Sequence, residues 1–293
     1  MEIECPSTGY DSKNCPWKSR SGVVRDNPKV GILECTECHL VKHSEDLSEF
    51  VNYESGSMRN WESGCGYELH SQESDGPRRL KEIKELLSKF EIKSLLDFGC
   101  GMGEMLEIYS NIADVFGVEP DRAAREFVNK KGLNVFESGK SFLHKNPPVN
   151  VVTMFHVIEH LYNPSLVLQE VQEILAPGGI LVVETPNSND VLLSKYESTA
   201  FSEFTYWSHH PMLHSNSSLE KLLTRSGFEI LLNTGVQRYS LNNHLYWLSK
   251  GKPGGHKAWA NFVPLEIEEN YSELLVSFEL SDTIWLVAQK PTT

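Results

Sequence analysis

Ser94-Leu95-Leu96-Asp97-Phe98-Gly99-Cys100-Gly101-Met102-Gly103-Glu104-Met105-Leu106 is the stretch that decides the fold. Its first half, SLLDF, is a short apolar run of the kind that makes a buried strand, and a helix is expected from about Glu104 to Ser110. Between the two, Gly99, Gly101 and Gly103 alternate with larger residues. A turn with glycine at every second position can adopt backbone conformations, and admit a ligand to the backbone, where a Cβ would block both.

The same alternation of strand and helix extends outward from this turn. DVFGVE is the next strand, giving a βαβ unit, and Asp121 is placed to cap a helix that Gly132 can end. NVFES, VNVVTMF and GILVVET supply three more strands, with a helix opening at Asn163-Pro164. Val167, Val171, Ile174 and Leu175 line one side of that helix, and Pro177-Gly178-Gly179 is expected to stop it. Ser217 and Glu220 form a capping-box pattern for a helix closed at Gly227, followed by FEILLN and, much later, TIWLVAQK. Upstream, Pro77 fits a first helical turn, and Leu80, Ile83, Leu87 and Phe90 share one face.

Seven strands alternating with helices predict an α/β fold, a Rossmann-like, seven-stranded, mostly parallel sheet with helices on both faces. Residues 1–75, rich in Ser, Gly, Asn and Cys with short apolar runs such as Gly31-Ile32-Leu33 and Leu40-Val41, read as a separate loop-rich, cysteine-rich module. The main domain then covers 76–293, with an insertion at about 237–280 lying over the ligand edge of the sheet.

Ligands of such sheets bind beyond the carboxyl ends of strands. Glu119 ends the second strand, where a carboxylate can accept both hydroxyls of a ribose. The glycine run reads DxGxGxG and lacks the G-x-G-x-x-G that opens a helix N-terminus to a pyrophosphate, so a nucleoside cofactor without phosphate fits better. The sequence resembles the class I S-adenosylmethionine-dependent methyltransferases over about residues 77 to 290. LLDFGCGMGEML resembles their glycine motif, VFGVEPD their ribose-binding strand end, FHVIEHL the segment after their fourth strand and LAPGGILVVETPN their fifth strand.

The resemblance implies a role for each matching position. Gly99, Gly101 and Gly103 approach the amino-acid part of S-adenosylmethionine, and Asp97 orients their turn. Glu119 holds the ribose, Ser138 and Gly139 pass near the adenine, and Phe155 and His156 close the far side. Phe155 also suits plain core packing, since apolar strand ends are commonly buried.

His156-Val157-Ile158-Glu159-His160 matches the zinc-peptidase pattern H-x-x-E-H. That motif needs an established helix, whereas His156 directly follows a strand and a new helix starts at Asn163-Pro164, so a peptidase is not expected. Methyl transfer to a hydroxyl is helped by a base. His210 is the first candidate, then His209 and His160; Tyr206-Trp207-Ser208-His209-His210-Pro211 resembles the family's histidine-proline segment. Each histidine could equally serve as a structural hydrogen-bonding residue. Lys250, Lys252 and Lys257 form a locally positive, glycine-containing stretch suited either to a phosphate on the acceptor or simply to solvent.

Cys35-Thr36-Glu37-Cys38 supplies one C-x-x-C half of a tetrahedral zinc site, and Cys5 and Cys15 can supply the other. The segment resembles the small zinc-binding module preceding some methyltransferase domains, except that Thr8 stands where a cysteine of the first pair is expected, and Cys15 must replace it. Cys65 and Cys100 stand alone, and buried free cysteines are the alternative to metal.

A net charge of -13 disfavours nucleic acid as a partner. No stretch approaches the ~20 apolar residues of a membrane span and the N-terminus lacks a signal-like segment, so no membrane association and a cytoplasmic location are expected. The expected activity is methyl transfer from S-adenosylmethionine to a small-molecule acceptor, a hydroxyl of a sugar or related biosynthetic intermediate, with a phosphate-bearing acceptor among the expected partners. The alternatives are a quinone or other aromatic acceptor, or a non-catalytic binding module that keeps the cofactor fold.

Overall fold

A computed structural model describes Cys5 and residues 15–50, 75–88, 90 and 92–292. Thr8 and Cys65 lie outside the described residues. By compactness the chain divides into two units, Met1–Val51, His156–Ser165 and Val183–Ala288 in one, Asn52–Phe155, Leu166–Val182 and Gln289–Thr293 in the other.

The described N-terminal residues are not loop-rich. β1 (Trp17–Val24) and β2 (Asn27–Cys35) form an antiparallel hairpin closed by Arg25-Asp26. β2 pairs in turn with β3 (Val41–His43). Along β2, Val30, Ile32 and Glu34 are buried, the period of two that one covered sheet face requires. The pattern is hard to see in β1, where the register shifts between Arg20 and Val23 around Gly22 at φ 114.

In the second unit, α1 (Asp75–Leu87) turns Ile83 inward ahead of β4 (Ser94–Phe98). The chain then runs through α2 (Glu104–Tyr109), β5 (Asp114–Val118), α3 (Arg122–Lys130), β6 (Asn134–Phe136), α4 (Gly139–Leu143), β7 (Val149–Phe155) and α5 (Pro164–Ile174). Asp121 caps α3 as expected, accepting from the N–H groups of Ala123 and Ala124.

β8 (Leu175–Pro186) begins earlier than expected. Pro177-Gly178-Gly179 belongs to the strand, with Gly178 at φ 73 donating its N–H to the carbonyl of Lys290. The tether gives this Pro-Gly-Gly a pairing partner that periodicity does not reveal.

The other unit continues with α6 (Val191–Ser194), α7 (Thr199–Thr205), β9 (Met212–Leu213), α8 (Asn216–Arg225) and β10 (Glu229–Val236). β9 joins the N-terminal sheet by pairing with β3, giving the order β1-β2-β3-β9. The cap of α8 is Ser215, not Ser217. Its hydroxyl accepts from the Ser218 N–H, and the Ser218 hydroxyl accepts from the Ser215 N–H. A serine at the third helical position does what the expected glutamate would do. The stretch 237–280 carries three helices, α9 (Leu241–Lys250), α10 (Gly255–Ala258) and α11 (Leu265–Ser277), before β11 (Thr283–Gln289).

The large sheet has seven strands in the order β10-β11-β8-β7-β4-β5-β6, and the pairs β4–β5, β4–β7 and β5–β6 are parallel. This is the expected Rossmann-like architecture. From β4 the chain steps outward through β5 to β6 and then returns to β7 on the other side of β4. The reversal of strand order therefore falls between β4 and β7, where open α/β sheets form a ligand crevice at the carboxyl ends.

Candidate functional site

The carboxyl ends of β4, β5 and β6 are level, with Phe98 opposite Val118 and Val118 opposite Phe136. Gly99, Gly101 and Gly103 lie at φ 77, 54 and 79. All three are in the left-handed region, which explains the alternate spacing of glycine in this turn. The N–H groups of Gly99 and Cys100 both donate to the carbonyl of Val118, which ties the turn to the end of β5. A Cβ on Gly103 would sit 2.8 Å from Cγ1 of Val128.

Glu119 is 5 % exposed and binds two backbone donors. Its Oε2 accepts from the N–H of Gly101 at 2.8 Å, and its Oε1 from the N–H of Asp121 at 3.0 Å. Asp97 accepts from the Thr153 hydroxyl at 2.6 Å, a bond that spans the reversal between β4 and β7. Burial raises the Asp97 pKa to about 6, although the Thr153 hydrogen bond and the charge of Arg79 pull it down. The Arg79 guanidinium also lies 4.4 Å from the ring centre of Phe155, so Phe155 has a cation–π partner besides its core neighbours. Arg79 and Thr153 are residues that the sequence did not mark.

Ser138 and Gly139 follow β6, as expected, but both have structural work there. Ser138 caps α4 by accepting from the Ser141 N–H. A Cβ on Gly139 would sit 2.4 Å from Ile174 Cδ1.

The histidines cluster in the other unit. His156 follows β7 directly in sequence with φ 54, a value rare outside glycine. Its N–H donates to the Glu184 carbonyl at 2.8 Å. Its Nδ1 lies 3.2 Å from Glu159 Oε1 and its Nε2 3.3 Å from Glu184 Oε1. Arg238 Nη1 lies 3.2 Å from the same Nε2. Burial lowers the His156 pKa, but the hydrogen bonds to Glu159 and Glu184 overcome it, and the net shift is upward. For Glu159, burial would raise the pKa, yet the His156 hydrogen bond and the charges of His156, His160 and His210 hold it at about 2. Residues 158–160 form a single 3-10 turn rather than the helix a zinc peptidase needs.

His160 Nδ1 is 2.7 Å from the carbonyl oxygen of His209. A carbonyl only accepts, so Nδ1 is the donor in this bond. The His160 ring meets the His210 ring edge-on, with centroids 4.6 Å apart. His209 stacks on Trp207 at 4.2 Å, and its Nδ1 is 3.2 Å from the Ser208 hydroxyl, which donates to Asp26. Burial, helped by His160, brings the His210 pKa down to about 3, and burial lowers that of His209 too. A proton acceptor works best with a pKa near the working pH, so His210 is a weak base.

The four N-terminal cysteines converge. Cys5 Sγ is 3.5 Å from that of Cys35 and 3.7 Å from that of Cys38. Cys15 is buried beside Cys5 and Cys35; burial and the two neighbouring thiols push its own thiol pKa upward. At a Zn–S bond of about 2.3 Å the edge of a thiolate tetrahedron is roughly 3.8 Å, so Cys5, Cys35 and Cys38, whose sulfurs lie within 4.8 Å of one another, fit three corners of a zinc site, while Cys15 stands outside that group. All four are thiols rather than disulfide-bonded cysteines. Lys250, Lys252 and Lys257 are exposed. Among the described residues, no helix is long and apolar enough to cross a membrane.

The profile of a family described as a methyltransferase domain matches residues 72–233. The chain is 30% identical over 154 residues to the ubiquinone biosynthesis O-methyltransferase of Serratia proteamaculans, covering 49% of this chain and 63% of the relative. It is 29% identical over 166 residues to the enzyme of the same name from Cronobacter sakazakii, covering 51% and 64%. The match thus spans less than two thirds of the length of these curated relatives. Among solved structures, the chain is similar to a SAM-dependent methyltransferase from Archaeoglobus fulgidus, with 20% identity, a TM-score of 0.47 and coverage of 74% of this chain and 97% of that one.

Proposed function

This chain belongs to the methyltransferase domain family, and on that premise we propose that it moves a methyl group from S-adenosylmethionine to a hydroxyl of a small acceptor, a sugar or related biosynthetic intermediate. The observation that carries this reading is the pairing of the left-handed glycine turn with the buried Glu119, which grips that turn through Gly101. When bound, the cofactor supplies a methyl group on a positively charged sulfur.

The residues present fit it. Glu119 accepts the ribose hydroxyls, Gly99, Gly101 and Gly103 leave backbone open toward the amino-acid part, and Asp97, anchored by Thr153, orients the turn. Ser138 and Gly139 contribute backbone near the adenine, because the Ser138 hydroxyl is committed to its cap. Phe155 and His156 bound the far side. His210, His209 and His160 stand on the acceptor side of this reading, with His210 limited as a base by its burial.

Cys5, Cys15, Cys35 and Cys38 hold a structural zinc, which metal analysis of the purified chain tests; a metal-free, fully folded protein would refute it. Lys250, Lys252 and Lys257 meet a phosphate on the acceptor. Replacing all three should raise the acceptor KM and leave cofactor affinity alone, and an unchanged KM rejects the idea.

A phenolic hydroxyl of a quinone precursor is the second reading, favoured by the names of the curated relatives. A non-catalytic binding module is the third. Incubation with methyl-tritiated cofactor and cell extract separates them. Label in a polar sugar fraction supports the first reading, label in an aromatic fraction the second, and cofactor binding without transfer the third. His210→Ala should lower turnover far more than cofactor affinity; equal losses would remove it from the acceptor side.

A further inference from the structure

H-x-x-E-H fails as a helical zinc motif, yet two of its residues meet a third that lies 50 positions further on. A carboxylate oxygen of Glu159 and one ring nitrogen each of His160 and His210 lie within 4.8 Å of one another. Two imidazoles and a carboxylate are the donors that first-row divalent ions take in catalytic sites with open positions.

The groups around these donors are those that metal ligands usually have. His160 donates a hydrogen bond from Nδ1 to the carbonyl of His209, which fixes the ring and makes Nε2 the nitrogen that an ion would take. Thr185 donates its hydroxyl to Glu159 Oε2 at 2.9 Å, which orients the carboxylate from behind. The Nδ1 of His210 is buried and makes no hydrogen bond. A buried polar atom without a partner is costly, and a bound cation would give this ring one.

We propose that Glu159, His160 and His210 bind a divalent first-row transition-metal ion, a site separate from the four-cysteine cluster. The proposal rests on the hydroxyl-methylation reading for its purpose. When bound, the ion would supply a Lewis acid that makes a hydroxyl beside it more acidic, which is the chemistry a hydroxyl methylation needs.

Co2+ is the probe, added to the full chain after dialysis against a weak chelator that strips nitrogen- and oxygen-bound metal. The expected result is one equivalent of Co2+ with visible d–d bands and without the near-ultraviolet charge transfer of thiolate ligands. His210→Ala should abolish those bands. Thr185→Val, which keeps all three ligands and is the milder change, should weaken Co2+ binding by about 10- to 100-fold. Binding of S-adenosylhomocysteine, measured alongside by calorimetry, should stay within twofold in both variants. Absence of a non-thiolate Co2+ spectrum, or a spectrum and affinity unchanged in both variants, overturns the proposal. Stoichiometric Co2+ binding that responds to the variants, in a protein that transfers no methyl group, upholds the site and rejects only the methylation reading.

Discussion

Glu119→Gln separates the nucleoside site from the rest of the molecule. The carboxylate is 5 % exposed, and each of its oxygens accepts from one backbone N–H, Gly101 at 2.8 Å and Asp121 at 3.0 Å. Glutamine keeps the shape and one acceptor but turns the second oxygen into a donor that faces a donor. One buried N–H is left without an acceptor, at a cost of about 1–3 kcal/mol. At about 2–4 °C per kcal/mol in chains of this size, melting should fall by roughly 2–12 °C.

Binding suffers separately. A hydrogen bond from a ribose hydroxyl to a charged acceptor contributes about 1.5–3 kcal/mol, so S-adenosylhomocysteine should bind roughly 10- to 150-fold more weakly. Calorimetry with that ligand and with its 2′,3′-dideoxy analogue distinguishes recognition from local damage. The substitution should cost little for the analogue, which has no hydroxyls to offer. Equal losses for both ligands, or less than twofold for either, would refute the assignment of Glu119 to the ribose.

Two further perturbations test the framework that holds the site. Ser215→Ala should cost about 1 kcal/mol of stability as a lost helix cap, whereas Ser217→Ala should be near neutral in the same denaturant titration; the reverse order would restore the cap to Ser217. Asp97 has a folded pKa of about 6 against an ordinary 3.8, so its contribution to stability is present below about pH 4 and is lost as the pH rises through about 6. The melting temperature of the wild type minus that of Asp97→Asn should therefore fall between about pH 4 and pH 6 and level off above, and a constant difference across that window would be the contrary result.

Local pattern made the centre of the fold legible. SLLDF followed by a glycine turn, the Asp121 cap and the apolar runs at 149–155 and 283–289 are each decided within a few residues, and the structure places strands or caps there. The N-terminal sheet was not legible for a physical reason. β1 carries Lys18, Arg20 and a glycine bulge in place of clean alternation, and β3 is completed by Met212 and Leu213, some 170 residues away. The α8 cap is ambiguous in sequence because Ser217-x-x-Glu220 and Ser215-x-x-Ser218 are both patterns that can close a capping box. Only the geometry of Ser215 and Ser218, with the Ser215 hydroxyl donating to the carbonyl of Cys38, decides between them.

The histidines show where sequence stops deciding chemistry. Position in the chain marked His156, His160, His209 and His210 as polar residues beside strand ends, and that much is local. Whether an imidazole serves as a base or as a ligand depends on neighbours far off in sequence. Glu184 and Arg238 hold His156, the His209 carbonyl fixes the tautomer of His160, and burial keeps His210 uncharged. A base needs a pKa near the working pH and a route for its proton. A ligand needs the reverse, a neutral ring held still in a place that water does not easily enter. By that criterion the environment of His210 suits metal binding better than proton abstraction, although the sequence motif around it suggests a base.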